Sequence, residues 1–328
     1  MVNVDDIALP YAVSIPVLGL PTRFATNEPA MLEIVDEAFG VWSALGGSEM
    51  LDADVERIVR VSIEVVAEGT NDGLDVRGAP IIHEMADDLH FVARCAGSLA
   101  TSDPARRRAT IRVTRGIMAD RARFRTEMLE AVVLALLTCY DRHPVHAAAV
   151  AHRGHALLLA APSGTGKSTI AWLCHAAGLD LLGDDHVRVQ LAPSLRVWGW
   201  PGRVRLLSET AEALGMTQHP VQLANGKRKA VIDARHGVGP DRLVAHDATV
   251  CVLARDGGAL SLEPLPPASL VHALGEQLAP GFDRFPARWP EVARALAARG
   301  GWRLNLTNDA REALPVVQDL LARLSRRD

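Results

Sequence analysis

The run from Ala161 to Thr169, with the sequence APSGTGKST, holds the residue types best suited to chemistry in this chain. It fits the phosphate-binding pattern Ala/Gly-x-x-x-x-Gly-Lys-Ser/Thr, with alanine where the stricter pattern has glycine. Gly164 and Gly166 allow backbone N–H groups to turn toward one anion. Lys167 would reach the outer phosphates, and the hydroxyl of Ser168 would bind Mg²⁺. The sequence therefore predicts a nucleoside triphosphate site.

The residues on either side of this loop predict the elements that position it. Residues 155–160 are apolar and predict a buried strand. Residues 169–177 have a helical composition, and Gly178 stands where a helix commonly ends. The alternative is an ordinary glycine-rich turn, but strand, loop and helix in this order are the context that a phosphate-binding loop needs.

Two acidic residues, Asp184 and Asp185, follow the next predicted strand, residues 179–182. Phosphoryl transfer needs a carboxylate near Mg²⁺ and often a second acid that orients or deprotonates the attacking hydroxyl. No other apolar strand ending in Asp stands out as a conventional Mg²⁺-binding element, so this pair is the best candidate for both roles. A plain surface turn is the alternative interpretation of the pair.

His146 is predicted to lie on a strand, residues 145–151, directly before the loop strand. Arg153 and Gly154 between the two strands predict a hairpin turn, and hence an antiparallel neighbour for the loop strand. Doubly wound nucleotide-binding proteins instead have parallel neighbours there. On this strand His146 could contact a phosphate or assist proton transfer, or it could be a satisfied core histidine.

Basic residues occur at two further places, Arg203 and Arg205 on one predicted strand and Lys227-Arg228-Lys229 on a predicted turn. A transferring phosphoryl group is commonly met by an Arg or Lys besides the loop lysine. Lys227 and Arg228 are the candidates for this charge stabilisation, and an exposed basic turn is the alternative.

Composition restricts the class of protein. The chain has 328 residues, 48% of them hydrophobic and 23% charged, which is typical of a globular protein with a real core. A net charge of −4 and a pI near 6.3 argue against a general nucleic-acid binder. The four cysteines form no C-x-x-C pair, and neither a signal peptide nor a membrane span is recognisable. We therefore expect a cytoplasmic protein with no nucleic-acid or membrane partner.

The fold class predicted is α/β, with two domains. Residues 1–124 mix short strands and helices without a catalytic signature and predict an α+β domain for recognition or packing. Residues 125–328 predict the ATP-binding catalytic domain. The helix predicted from 125 to 140 is apolar over much of its surface and is expected to be buried between the domains.

The run from His146 to Asp185 resembles the catalytic core of the HPr kinase/phosphorylase family, bacterial protein-serine kinases with a phosphoenolpyruvate-carboxykinase-like fold. The family shows a His-Ala strand, a Gly-containing hairpin, a loop of type G-x-S-G-x-G-K-S and a later Asp-Asp. The chain departs from it in lacking a clear Glu-Ile-Arg-Gly segment, whose place Arg203–Leu206 roughly takes. It is more similar to divergent HPr-kinase-related proteins, some of which phosphorylate a precursor peptide.

The resemblance implies a mixed-sheet P-loop kinase core that uses ATP and Mg²⁺. Lys167 and the loop amides would hold the phosphates, Ser168 and Asp184 the metal, while Asp185 would be the base and His146 would sit near the phosphates. The residues expected to bind the nucleotide are Ser163, Gly164, Thr165, Gly166, Lys167, Ser168, Thr169, Lys227 and Arg228.

The expected partner is a hydroxyl-bearing acceptor: a Ser of a peptide or protein, or a small molecule. Two other functions stay open, a carboxykinase-like phosphotransferase and a non-catalytic ATP-binding sensor. The resemblance to a hexameric family also makes self-association an expectation to test.

Overall fold

A computed structural model describes residues 9–45, 58–67, 79–87, 89–200, 203–214, 221–222, 228–233, 242–276 and 285–326. The chain divides into two compact units, Met1–Arg142 and His143–Asp328, each of which combines a mixed sheet with helices. This division falls after Arg142, whereas the sequence predicted a boundary after residue 124. None of the helices in the described part of the chain has the length and apolarity that crossing a bilayer requires.

The first unit contains a mixed seven-stranded sheet. Its strands are β1 (Tyr11–Val17), β2 (Leu20–Thr26), β3 (Val59–Val66), β4 (Ile82–Met85), β5 (Phe91–Cys95), β6 (Ser98–Asp103) and β7 (Arg108–Thr114). Their order is β1-β2-β3-β7-β6-β5-β4, and β3 runs parallel to both of its neighbours. Its helices are α1 (Ala30–Phe39), α2 (Arg115–Met118), α3 (Arg121–Phe124) and α4 (Ala131–Thr138).

Residues 125–138 explain why the first unit extends beyond the predicted boundary. They form a π-helical stretch, Arg125–Glu130, followed by α4. Every residue from Val132 to Thr138 is buried, and α4 packs against β5, β6 and β7 of the first sheet. A helix that is apolar on all sides is stable only when every side is buried, and this sheet buries part of the α4 surface.

The second unit carries the remaining elements. Its first strands and helix are β8 (His143–Val145), β9 (Ala148–His152), β10 (His155–Ala160), α5 (Lys167–Ala176), β11 (Asp180–Gly183), β12 (Val187–Gln190) and β13 (Arg196–Trp198). There follow β14 (Arg203–Leu207), α6 (Ser208–Ala213), β15 (Val221–Gln222), β16 (Arg228–Asp233), β17 (Val244–Ala245) and β18 (Asp247–Ala254). The unit closes with β19 (Ser261–Leu265), α7 (Pro267–Gly275), α8 (Trp289–Ala297), β20 (Gly301–Asn305) and α9 (Ala313–Leu324).

A six-stranded sheet with the order β11-β9-β10-β18-β20-β19 forms the centre of the second unit. Strands β10, β18 and β20 are parallel, whereas β9 is antiparallel to β10. The predicted hairpin before the loop is thereby confirmed. Arg153 and Gly154 both have positive φ, 49° and 79°, as two-residue hairpin turns commonly require.

Strand β10 is buried on both faces because the central sheet lies between two hydrophobic clusters. Leu157 and Leu159 face a cluster that includes residues of α5 and α9. Ala156 and Leu158 face the other cluster, which includes residues of α8 and of the sheet β17-β13-β12-β8. Alternate residues of a strand point to opposite faces, so a strand without polar alternation can occupy this position only when both faces are covered.

Candidate phosphate-binding site

The loop between β10 and α5 turns back on itself at the start of the helix. Gly164 and Gly166 have φ of 93° and 125°, conformations that residues with a side chain rarely adopt. Thr165, between them, donates its N–H and its hydroxyl to the carbonyl of Pro162, at 3.4 and 3.0 Å. The loop therefore lies at the N-terminus of a ten-residue helix, where unpaired N–H groups favour an anion.

Lys167 is the first residue of α5, and its side chain is only 6% exposed. Its Nζ donates to the carbonyl oxygens of Ala161 at 2.5 Å and of Pro162 at 3.4 Å. Burial lowers the pKa of the ammonium group; Asp185 acts in the opposite direction, and Lys229 adds to the lowering. Lys167 is thus held by the loop itself, and triphosphate oxygens would compete with these two carbonyls for it.

Ser168 joins the loop to the acidic turn that follows β11. Its Oγ donates to the backbone carbonyl of Asp184 at 3.2 Å, and the N–H of Arg205 donates to Oδ2 of Asp184 at 2.9 Å. Burial raises the pKa of the Asp184 carboxyl above its usual value. Of the other predicted loop residues, Ser163 is exposed in the turn and Thr169 is half-buried in the first turn of α5.

Asp185 lies among nitrogen bases at the same end of the sheet. Its Oδ1 is 3.6 Å from Nδ1 of His146, and its Oδ2 is 3.9 Å from Nδ1 of His186. The imidazole of His186, with smaller contributions from His146 and Lys167, holds the pKa of Asp185 well below its usual range. The pKa of His146 is lowered, because burial disfavours the imidazolium more than Asp185 stabilises it. At neutral pH the pair is therefore a carboxylate beside a neutral imidazole.

The oxygen donors at this turn have the chemistry that Mg²⁺ prefers. Magnesium is usually held by one or two carboxylates together with substrate phosphates and water. The hydroxyl of Ser168 and the carboxylate of Asp184, close to a phosphate-binding loop, match such a donor set. Within the described ranges, no group of three His, Cys, Asp or Glu side chains forms an all-protein metal cluster.

The predicted basic turn is partly a strand. Lys227 lies outside the described residues, and Arg228 begins strand β16, so Arg228 and Lys229 belong to a sheet rather than to a turn. The side chain of Arg228 is also outside what the structure describes. Lys229 is close enough to Lys167 to lower its pKa, which makes Lys229 the described cation of this run that acts on the loop.

Arg255 also contacts the loop, and the sequence analysis did not include it. Its Nε donates to the carbonyl of Thr165 at 2.9 Å, and its Nη1 donates to the carbonyl of Thr307 at 2.6 Å. The available signal was its place directly after the apolar residues 248–254, the clearest strand of the C-terminal half. Using that signal requires knowing that this strand pairs in parallel with β10, so that both carboxyl ends meet at one edge.

The chain matches no protein-family profile and no curated protein sequence. It is similar in structure to the Hpr(Ser) kinase/phosphatase from Coxiella burnetii, with a TM-score of 0.30 and 12% sequence identity. That similarity covers 56% of this chain and 97% of the other.

Proposed function

We propose that this chain is a Mg·ATP-dependent kinase that transfers the γ-phosphoryl group to a hydroxyl, foremost to a Ser of a peptide or protein. Phosphoryl transfer uses a carboxylate that helps to hold Mg²⁺ and a second group that orients the acceptor hydroxyl, both beside the phosphates. The observation that carries the proposal is the contact between the phosphate-binding loop and the acidic turn, the 3.2 Å hydrogen bond from Ser168 to the carbonyl of Asp184.

Nucleotide binding would use groups that are already turned toward the loop. The N–H groups at the start of α5 and around Gly166 would receive phosphate oxygens. Lys167 would exchange its carbonyl partners for the outer phosphates, which carry more negative charge than a carbonyl. Ser168 and Asp184 would hold Mg²⁺, which when bound neutralises charge on the β- and γ-phosphate oxygens.

Asp185 would position the acceptor hydroxyl and receive its proton. Its lowered pKa keeps it ionised at neutral pH, so it can accept a hydrogen bond from the hydroxyl throughout that range. A carboxylate this acidic is a weak base, and its main contribution would be orientation, with proton acceptance late in the transfer. His146, neutral and 3.6 Å away, is placed to share or relay that proton.

The exposure of Asp185 supports a large acceptor. Its side chain is 54% exposed, so a serine on another chain can reach it from solvent without a deep pocket. A small metabolite would leave this carboxylate in water and would need binding groups of its own. A peptide or protein acceptor, bound through surfaces outside the site, therefore fits the site better.

The proposal is tested by phosphoryl transfer from labelled Mg·ATP to peptides encoded by neighbouring genes, with a small-molecule hydroxyl panel in parallel. We expect label on a peptide serine. The variant Asp185→Asn should transfer about a hundredfold more slowly or worse, the range typical of losing an acid–base group, while it still binds Mg·ATP.

Asp319→Asn is the matched control, because Asp319 is an exposed carboxylate on α9, outside the acidic turn, and it should transfer at the wild-type rate. Equal labelling by wild type and Asp185→Asn would contradict the mechanism. Nucleotide binding without transfer to any acceptor, with biological activity retained in Asp185→Asn, would instead identify a nucleotide sensor. Transfer only to small carboxylic acids would identify a carboxykinase-like enzyme.

A further inference from the structure

Arg255 stands at the edge of the central sheet where the phosphate loop begins. It is the first residue after β18, which runs parallel to β10, and the loop leaves β10 at the same edge. Leu306, just beyond β20, donates its N–H to the carbonyl of Ala254 at 2.8 Å. The carboxyl ends of three parallel strands are thereby brought to Arg255.

The guanidinium group connects the loop to the end of β20. Nε binds the carbonyl of Thr165 at 2.9 Å and Nη1 binds the carbonyl of Thr307 at 2.6 Å. The hydroxyl of Thr307 donates to Oε2 of Glu312 at 2.7 Å, which anchors that end. Two fixed donors on one planar group can hold two carbonyls in a set geometry, which a lysine ammonium on its flexible stem does much less well.

The bond to Thr165 matters because of where Thr165 lies. Gly164 and Gly166 flank it with positive φ, and glycine leaves a backbone free to rotate among many conformations. The peptide unit between Thr165 and Gly166 is planar and trans, so its carbonyl and its N–H point in opposite directions. Holding the carbonyl of Thr165 therefore aims the N–H of Gly166 away from Arg255.

The third guanidinium nitrogen lies over the same peptide. Nη2 would be 3.5 Å from a Cβ placed on Gly166, so the guanidinium covers one side of the loop at this residue. Among the residues that the structure describes, no hydrogen bond is assigned to Nη2.

We propose that Arg255 is a positioning residue of the phosphate-binding loop, which orients the Gly166 N–H toward a phosphate by holding the Thr165 carbonyl. The inference rests on the proposed function, since it assigns the loop to phosphate binding. It adds a residue that acts through the backbone of the loop and not through the acidic turn. The chemical class of ligand that Arg255 serves is a pyrophosphate or a nucleoside polyphosphate.

The test measures binding of Mg·pyrophosphate and Mg·ATP by calorimetry to wild type, Arg255→Lys and Arg255→Met. Arg255→Lys keeps the charge but not the two-point hold, so both variants should bind pyrophosphate about tenfold more weakly or worse, the loss expected for one charge-assisted hydrogen bond. Arg303→Lys is the matched control: Arg303 is an exposed arginine on β20 paired with Asp256 at 2.7 Å, and its variant should bind as wild type does.

A second measurement separates positioning from general stability. In protein labelled with ¹⁵N-glycine, Arg255→Lys should shift the amide resonance of Gly166 while the melting temperature stays within about 2 °C of wild type, since Arg255 is exposed. Wild-type affinity in Arg255→Lys, or an unmoved Gly166 amide, overturns the inference.

The same data distinguish this inference from the proposed function. Pyrophosphate binding that depends on Arg255, without transfer to any acceptor, contradicts the kinase proposal and supports the positioning role. Transfer activity together with wild-type binding in Arg255→Lys supports the kinase proposal and contradicts the positioning role. A wild-type protein that binds neither Mg·pyrophosphate nor Mg·ATP overturns both.

Discussion

Replacing Lys167 with methionine separates the two roles of this side chain, one in the free protein and one with nucleotide. Methionine keeps the length and the apolar stem but removes the ammonium group. In the free protein two carbonyls lose their donor, which costs about 1–3 kcal/mol for each acceptor left without a partner. Removing the ammonium group also removes the cost of burying its charge, a cost that the lowered pKa of Lys167 indicates. This gain offsets part of the lost stability. We therefore expect the melting temperature of the free protein to change by only a few degrees.

The nucleotide-bound protein should behave differently. A ligand at a hundred times its dissociation constant stabilises the protein that binds it by about 2.7 kcal/mol. For a unit the size of His143–Asp328, each kcal/mol raises the melting temperature by about 2–4 °C. Wild type should thus gain roughly 5–10 °C in saturating Mg·ATP, and Lys167→Met should gain almost nothing at the same concentration.

Differential scanning fluorimetry across a Mg·ATP titration measures both quantities in one experiment. Arg294→Met is a matched control, because Arg294 is an exposed cation that also donates to a backbone carbonyl, that of Pro290 at 2.8 Å, on α8. It should show the full nucleotide-induced rise. An equal rise in Lys167→Met would refute the assignment of Lys167 to the phosphates, even if activity were lost.

Three further outcomes are expected. Gly301→Ala should lower the free energy of unfolding by about 1–3 kcal/mol, because its Cβ would lie 2.5 Å from the backbone oxygen of Val250. Gly275→Ala, with open space around its Cβ, should leave it unchanged, and urea unfolding compares the two variants. Burial raises the pKa of Cys174 and of Cys251 to about 12, so both thiols should resist a disulfide reagent at pH 8 until the protein is unfolded. The pKa of Lys167 in the folded protein lies below its unfolded value of 10.5, so the buried charge destabilises the wild type at neutral pH. This destabilisation lessens as the pH rises through the folded pKa. In the same unfolding assay, the free energy of unfolding of wild type should therefore rise relative to that of Lys167→Met between pH 7 and pH 10.5.

The local part of the site could be predicted from sequence because its signals are local. The apolar run of β10, the two turn residues of the hairpin and the glycines of the loop each determine the backbone within a few residues. The hairpin and the helix after the loop are found where they were predicted. The chemical roles of His146, Asp184 and Asp185 stay predictions, although the structure brings all three to the loop's end of the sheet.

What could not be predicted depends on pairing between distant segments. Arg255 reaches the loop only because β18 pairs with β10 in parallel, and nothing near Arg255 in the sequence states that pairing. Lys229 acts on Lys167 from strand β16, whose pairing with β14 and β15 joins segments that are separate in the sequence. The compact units divide after Arg142 and not after residue 124, and residues 131–138 carry no sequence signal of which sheet covers them.

The order of strands in the central sheet also bears on how the chain folds. Strands β9, β10 and β11 lie close together in sequence, so their pairing closes only short loops. The pairing of His155 with Asp247 joins residues that are much farther apart in the chain, so its entropy of loop closure is larger. During synthesis the motif is therefore made well before the strands that brace it. A growing chain contains every residue from Ala161 to Asp185 before Arg255, which holds the backbone of the loop at Thr165, has been made.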